Sequence, residues 1–148
     1  MKRLMIVFFL MAFVLTGCGR GKSETSDALS IEDYSWQMTT IQSTETDGQA
    51  IAHAPGAVGV PDTSVEVILK CTATNGELNL TDETNGNTYT GSYKLTDTNQ
   101  ETRIYEVTVG DSEGMAVVSM TVYHDDSQMP AFIISLGDYA LNFVPLTE

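Results

Sequence analysis

The chain has 148 residues and sets 20 acidic against 7 basic side chains, a formal net charge of −13 at pH 7. That imbalance argues against nucleic acid and against anionic membrane surfaces as partners, because both repel a polyanion. The length suits a single domain. With only Cys18 and Cys71 available, no disulfide framework can substitute for a hydrophobic core.

Lys2 and Arg3 open the chain, residues 4–15 follow without a charge or a proline, and Thr16 and Gly17 end the apolar run. This is the order of a secretory signal: basic start, short apolar stretch, small residues at the cut. The run falls short of the roughly 20 residues that a spanning helix needs. Leu15-Thr16-Gly17-Cys18 resembles the lipobox of bacterial lipoproteins. The resemblance implies a signal peptide over residues 1–17, diacylglyceryl transfer to the Cys18 thiol, cleavage before it and acylation of the new amino terminus. The implied partner is a membrane, cell membrane or outer membrane, with the protein facing outside the cytoplasm. Gly19, in place of Asp, resembles the pattern of proteins sent on to an outer membrane. Two or three acyl chains would hold firmly, at about 0.8 kcal/mol per buried methylene. The plainer alternatives are an uncleaved helix and a secreted chain whose Cys18 keeps its thiol.

Without residues 1–17, five basic residues face twenty acidic ones, a net charge of −15. Residues 18–33 then form the lipidated terminus and a polar, small-residue tether, expected to be flexible with a reach of roughly 20 Å. Residues 34–148 form one β-domain. Its strands are expected at about 33–44, 49–54, 64–73, 77–82, 87–95, 102–109, 115–123, 131–136 and 139–144, from period-2 alternation and β-branched content. Val65, Val67, Leu69 and Cys71 illustrate the alternation, as do Ala116, Val118, Met120 and Val122. Asp47-Gly48, Asn75-Gly76 and Asn85-Gly86 supply the positive φ of type I′ turns, and Gly137-Asp138 suits type II′. Longer connections are expected at 96–101, 110–114 and 125–130, and Pro55 to Pro61 reads as an irregular strap.

Eight or nine strands joined by short hairpins form a meander, and closing it removes two exposed edges. An all-β antiparallel barrel is therefore expected, with a β-sandwich as the alternative. Trp36 in the first strand, the meander and Tyr139 to Phe143 closing it resemble the lipocalins and similar calyx proteins in layout. Lipocalins carry Gly two residues before that tryptophan, where this chain has Tyr34. The segments YTGSYKL (89–95), AVVSMTVY (116–123) and ISLGDYALNF (134–143) look like small lipobox-bearing β-domains of uncharacterised function.

Few residues suggest chemistry. Cys71, on an apolar strand face, reads as a buried thiol with a raised pKa. His53 and His124-Asp125-Asp126 would ligate a metal only if strand two ended beside the 124–129 loop; otherwise they are exposed polar residues. Asp82 to Asn87 lacks the spacing of a calcium loop and reads as a hairpin turn. No nucleophile elbow, zinc motif or phosphate loop is present, so no catalytic residue, metal or cofactor is assigned. The expected inward residues are Trp36, Met38, Tyr89, Tyr93, Tyr105, Met120, Phe132, Tyr139, Leu141 and Phe143. They would line a calyx for a small apolar ligand or peptide, or pack as a core. Gly91 between Tyr89 and Tyr93 would leave room for that ligand or relieve a bend. The function expected is a membrane-anchored, non-catalytic envelope lipoprotein that binds such a ligand. The alternative is a solid β-domain serving protein–protein interaction or envelope structure, and an internal void of about 300 Å³ separates the two.

Overall fold

The protein's structure, a computed structural model, describes residues 28–147. The leader, Cys18 and the first part of the expected tether lie outside the described residues.

Ten strands follow one another: β1 (Trp36–Ser43), β2 (Ala50–His53), β3 (Val65–Glu66), β4 (Leu69–Thr74), β5 (Glu77–Asp82), β6 (Asn87–Thr98), β7 (Thr102–Val109), β8 (Ser112–Val122), β9 (Gln128–Leu136) and β10 (Tyr139–Pro145). From β4 to β10 each strand pairs antiparallel with the next, and β10 returns to β1 in register from Trp36 opposite Pro145 to Ser43 opposite Tyr139. Trp36 and Gln37 pair in turn with Cys71 and Lys70 of β4. Eight strands thus close an antiparallel barrel, the first of the two expected architectures. β2 and β3 lie outside the ring, on the part of β1 that β4 leaves unpaired.

The expected strand at 64–73 is in fact two. Val67 N–H bonds to His53 O, and Ile68 N–H turns away to Thr84 Oγ1. The chain thereby passes from a parallel pairing with β2 to the antiparallel ladder with β5. β9 also starts earlier than expected and includes Pro130. It picks up β10 only at Phe132, so the missing proline N–H costs no bond there.

Asn75 and Gly76 both have positive φ, as a type I′ turn requires. In the Asn85-Gly86 turn only Gly86 does, and the Asp82 carboxylate instead accepts from Thr84 N–H, Asn85 N–H and Asn85 Nδ2. Asp47-Gly48 ends a short 3-10 turn, Thr44–Thr46, rather than forming a two-residue hairpin. The 110–114 connection tightens to Gly110-Asp111, because Val109 already pairs with Ser112.

Curvature depends on two glycines. A Cβ on Gly91 would lie 2.2 Å from Thr108 O, and one on Gly114 would lie 1.9 Å from Ser135 O. The backbones approach too closely there for a side chain, which is how a sheet bends into a small barrel. Gly91 therefore serves the bend.

The tether boundary needs correction. Ser30 caps a 3-10 turn, Ile31–Asp33, and Ile31 is fully buried in the barrel core. Ile31, with Ala28 buried and Leu29 packed against the core, draws residues 28–33 into the domain. They close one end of the barrel, the plugged end, which also carries the β4–β5, β6–β7 and β8–β9 turns.

Candidate functional site

Six of the ten residues expected inside are inside. Trp36, Met38, Tyr105, Phe132, Leu141 and Phe143 are all buried. Phe132 lies between Trp36 and Phe143, with ring centroids at 5.1 and 5.4 Å, spacings typical of favourable aromatic pairs. The indole Nε1 of Trp36 donates to Ile31 O at 2.8 Å, which fixes the plug to the core. Tyr93 is half-buried, its ring edge-on to Tyr105. Its hydroxyl donates to Glu32 Oε1. Burial first, and that bond second, push the Tyr93 pKa up to about 12. The Tyr105 hydroxyl meets Ser30 Oγ and accepts from Ile31 N–H, both at 3.4 Å. The tyrosine tips expected to face a ligand thus hold the chain's own N-terminal segment.

Tyr89, Met120 and Tyr139 are exposed, at 48%, 39% and 48%. Each has the inward parity of its strand, but each stands where the ring is no longer complete. Tyr89 lies beyond the β6–β7 ladder, which begins at Gly91. Tyr139 flanks the β9–β10 turn, and Met120 sits opposite Pro130 near the β8–β9 turn.

The buried inward side chains of the barrel belong to one hydrophobic cluster. Ile31, Cys71, Leu78, Val118 and Ile134 complete the packing around the aromatic trio. A hollow of about 220 Å³ opens at the plugged end, lined by Ala28, Leu29, Gln100, Glu101, Met120, Val122 and Gln128. A second, also about 220 Å³, lies at the opposite end beside Ser43 and Tyr139. A third, about 390 Å³, is an open depression lined by Tyr123, His124, Asp125, Ser127 and Met129. Trp36, Phe132 and Phe143 line none of these.

Cys71 is fully buried and free, and burial pushes its thiol up to about 12. It is a packing residue. His53 Nδ1 lies 2.9 Å from Ser64 Oγ, while His124 lies in the β8–β9 turn. Among the described residues no group of three or more His, Cys, Asp or Glu side chains could hold a metal. Arg103 shares its ladder position with inward Val118, and its Nε is buried with no hydrogen-bond partner among the described residues.

An apolar surface on the outside of the barrel was not anticipated. Ile104, Val117 and Ile133 are consecutive cross-strand partners on the outer face of β7, β8 and β9. Met115 and Met129 extend the strip along the strands and are 52% and 41% exposed; Ile133 is 39% exposed. The outward side chains of β4, β5 and β6 are polar: Lys70, Thr72 and Thr74 on β4, Glu77, Asn79 and Thr81 on β5, Thr88, Thr90, Ser92 and Lys94 on β6. The sequence did carry a signal for the strip. Residues 115–118 and 131–134 are continuous apolar runs, which in strands mean that both faces are apolar.

No protein-family model, no curated protein and no solved structure matches the chain.

Proposed function

We propose that the protein is a lipid-anchored lipoprotein of the cell envelope whose barrel is a non-catalytic, partner-binding module. It works through its outside, as a solid β-domain, rather than through an internal calyx. The observation that supports this reading is the pairing of a buried core of aromatic and aliphatic side chains with an outward apolar row of Ile104, Val117 and Ile133, flanked by Met115 and Met129, on β7 to β9. Monomeric domains rarely expose a contiguous apolar patch without using it. The anchor rests on the Leu15-Thr16-Gly17-Cys18 resemblance, and residues 19–27 then allow the domain to stand at most about 35 Å from the acylated cysteine.

Intact and native mass spectrometry of the protein purified from its own membranes test both halves. The expected product begins at Cys18, carries acyl chains and retains no apolar small molecule at 1:1 stoichiometry. A bare thiol or a retained leader overturns the anchor. A stoichiometric lipophile that stays bound through native desalting overturns the solid-domain reading and restores the calyx.

A further inference from the structure

We infer that the outer strip on β7, β8 and β9 is the docking site for a basic amphipathic segment of a partner protein, held apolar face down on Ile104, Met115, Val117 and Ile133. The inference rests on the reading of the barrel as a partner-binding module and adds the site and the chemistry of what binds there.

Length, shape and charge carry the argument. From Met115 to Thr121 on β8 the strip runs about 20 Å, at roughly 3.3 Å per residue. A helix of about 14 residues has the same length at 1.5 Å per residue. Such a helix presents its apolar face through anchors spaced i, i+3, i+4 and i+7. Two of the strip's exposed side chains, Met115 and Met129, are unbranched thioethers that adapt to the side chains laid on them.

The strip is uncharged along its middle and acidic at both ends. Glu106 stands directly opposite Met115 on β7, and Glu113 is the next outward residue of β8. At the other end Tyr123 Oη lies 3.9 Å from Met129 Sδ, and the same depression is lined by Asp125, with Asp126 in the same turn. The Ser127 hydroxyl and N–H bond to the Asp125 carboxylate and hold its pKa below the usual range, so it stays charged. The outward side chains of β7, β8 and β9 include no Lys or Arg; Lys94 of β6 stands directly opposite Glu106, whereas Glu113 stands opposite Thr108. An apolar segment with basic residues at its flanks is therefore complementary. A second copy of this chain brings the same excess of acidic over basic residues, and an anionic bilayer is likewise negative, so both meet net repulsion.

The test uses the full-length protein in mild detergent and a fluorescein-labelled helical peptide of about 14 residues, leucines on one face and lysines on the other. Saturable binding is expected by anisotropy, with slowed hydrogen exchange in residues 115–121 and 129–135. Met115→Ser with Ile133→Ser, both at exposed positions, should weaken binding about tenfold or more, as should Glu106→Gln with Glu113→Gln. The charge-matched pair Glu66→Gln with Glu77→Gln, away from the strip, should change it less than about twofold. Trp36 fluorescence verifies that each variant is folded. Equal losses from both glutamate pairs mean diffuse attraction and overturn the site, and so does unchanged binding by the serine variant. Protection of the strip by phosphatidylglycerol vesicles or by self-association, without the peptide, assigns it to a membrane or a second copy and overturns the partner. A lipophile retained in the barrel would count against the module reading alone, because the strip variants leave the interior intact.

Discussion

Replacing Trp36 by alanine removes the side chain on which both the core and the plug depend. The ring is fully buried between Phe132 and Tyr34, with centroids at 5.1 and 5.3 Å. A buried aromatic takes about 150–250 Å² out of water, which at about 25 cal/mol per Å² is worth about 4–6 kcal/mol. Measured truncations of large aromatics cost about 3–5 kcal/mol, because the neighbours partly collapse. Ile31 O also loses its hydrogen bond from Nε1, about 1 kcal/mol more. Trp36→Ala is therefore expected to cost about 4–6 kcal/mol, close to the whole stability of a weak domain. Trp36→Phe keeps most of the ring and should cost about 1–2 kcal/mol, mainly the hydrogen bond and the smaller volume. Urea unfolding followed by far-UV circular dichroism measures both, since Trp36 is the only tryptophan and its fluorescence is lost in the variants. The urea slope should stay constant while the midpoint falls. Faster hydrogen exchange over Ile31–Asp33 should accompany either change. A loss under about 1 kcal/mol for Trp36→Ala would mean the interior is not packed around this ring, and the argument for a solid barrel would fail with it.

Gly91→Ala and Gly114→Ala should each destabilise by about 1–3 kcal/mol, because the atom in the way is a backbone oxygen that cannot rotate aside; thermal melts check this, and an unchanged melting temperature would show the bends to be soft. Alkaline pH should weaken the fold in two steps. The Cys71 and Tyr93 pKa values are raised from 9.0 and 10.0 to about 12 in the folded chain, so both stay protonated where the unfolded chain ionises. Their contribution is complete below about pH 9 and is lost as pH rises toward 12. Urea midpoints between pH 8 and 11 should fall, less steeply in Cys71→Ala; parallel curves for the two proteins would refute the role of the thiol.

The architecture was legible in the sequence because alternation and turn chemistry agreed along most of the chain. Val107, Ala116, Val118, Phe132, Ile134, Leu141 and Phe143 all point inward, as their parity required. Closure followed from the cost of two open edges, not from any one motif. The failures have local physical causes. Parity assigns a face but not a depth, so Tyr89, Met120 and Tyr139 were placed inside although the barrel wall ends before it reaches them. Composition averaged Ile31 into a polar stretch, and the plug went unseen.

Placing function is harder than placing the fold, for a related reason. An apolar residue lowers the free energy wherever water is excluded, by the core or by a partner, and a single strand cannot reveal which. Ile133 and Ile134 are adjacent and chemically identical, yet the second is fully buried and the first is 39% exposed. Parity sets them on opposite faces, and the register across β7, β8 and β9 places Ile104, Val117 and Ile133 on one outward row while Tyr105, Ala116 and Ile134 form the row beneath. A strand apolar on both faces carries more hydrophobicity than its own barrel can use. On the proposed reading, the surplus on β8 and β9 is the part of the surface that the partner covers.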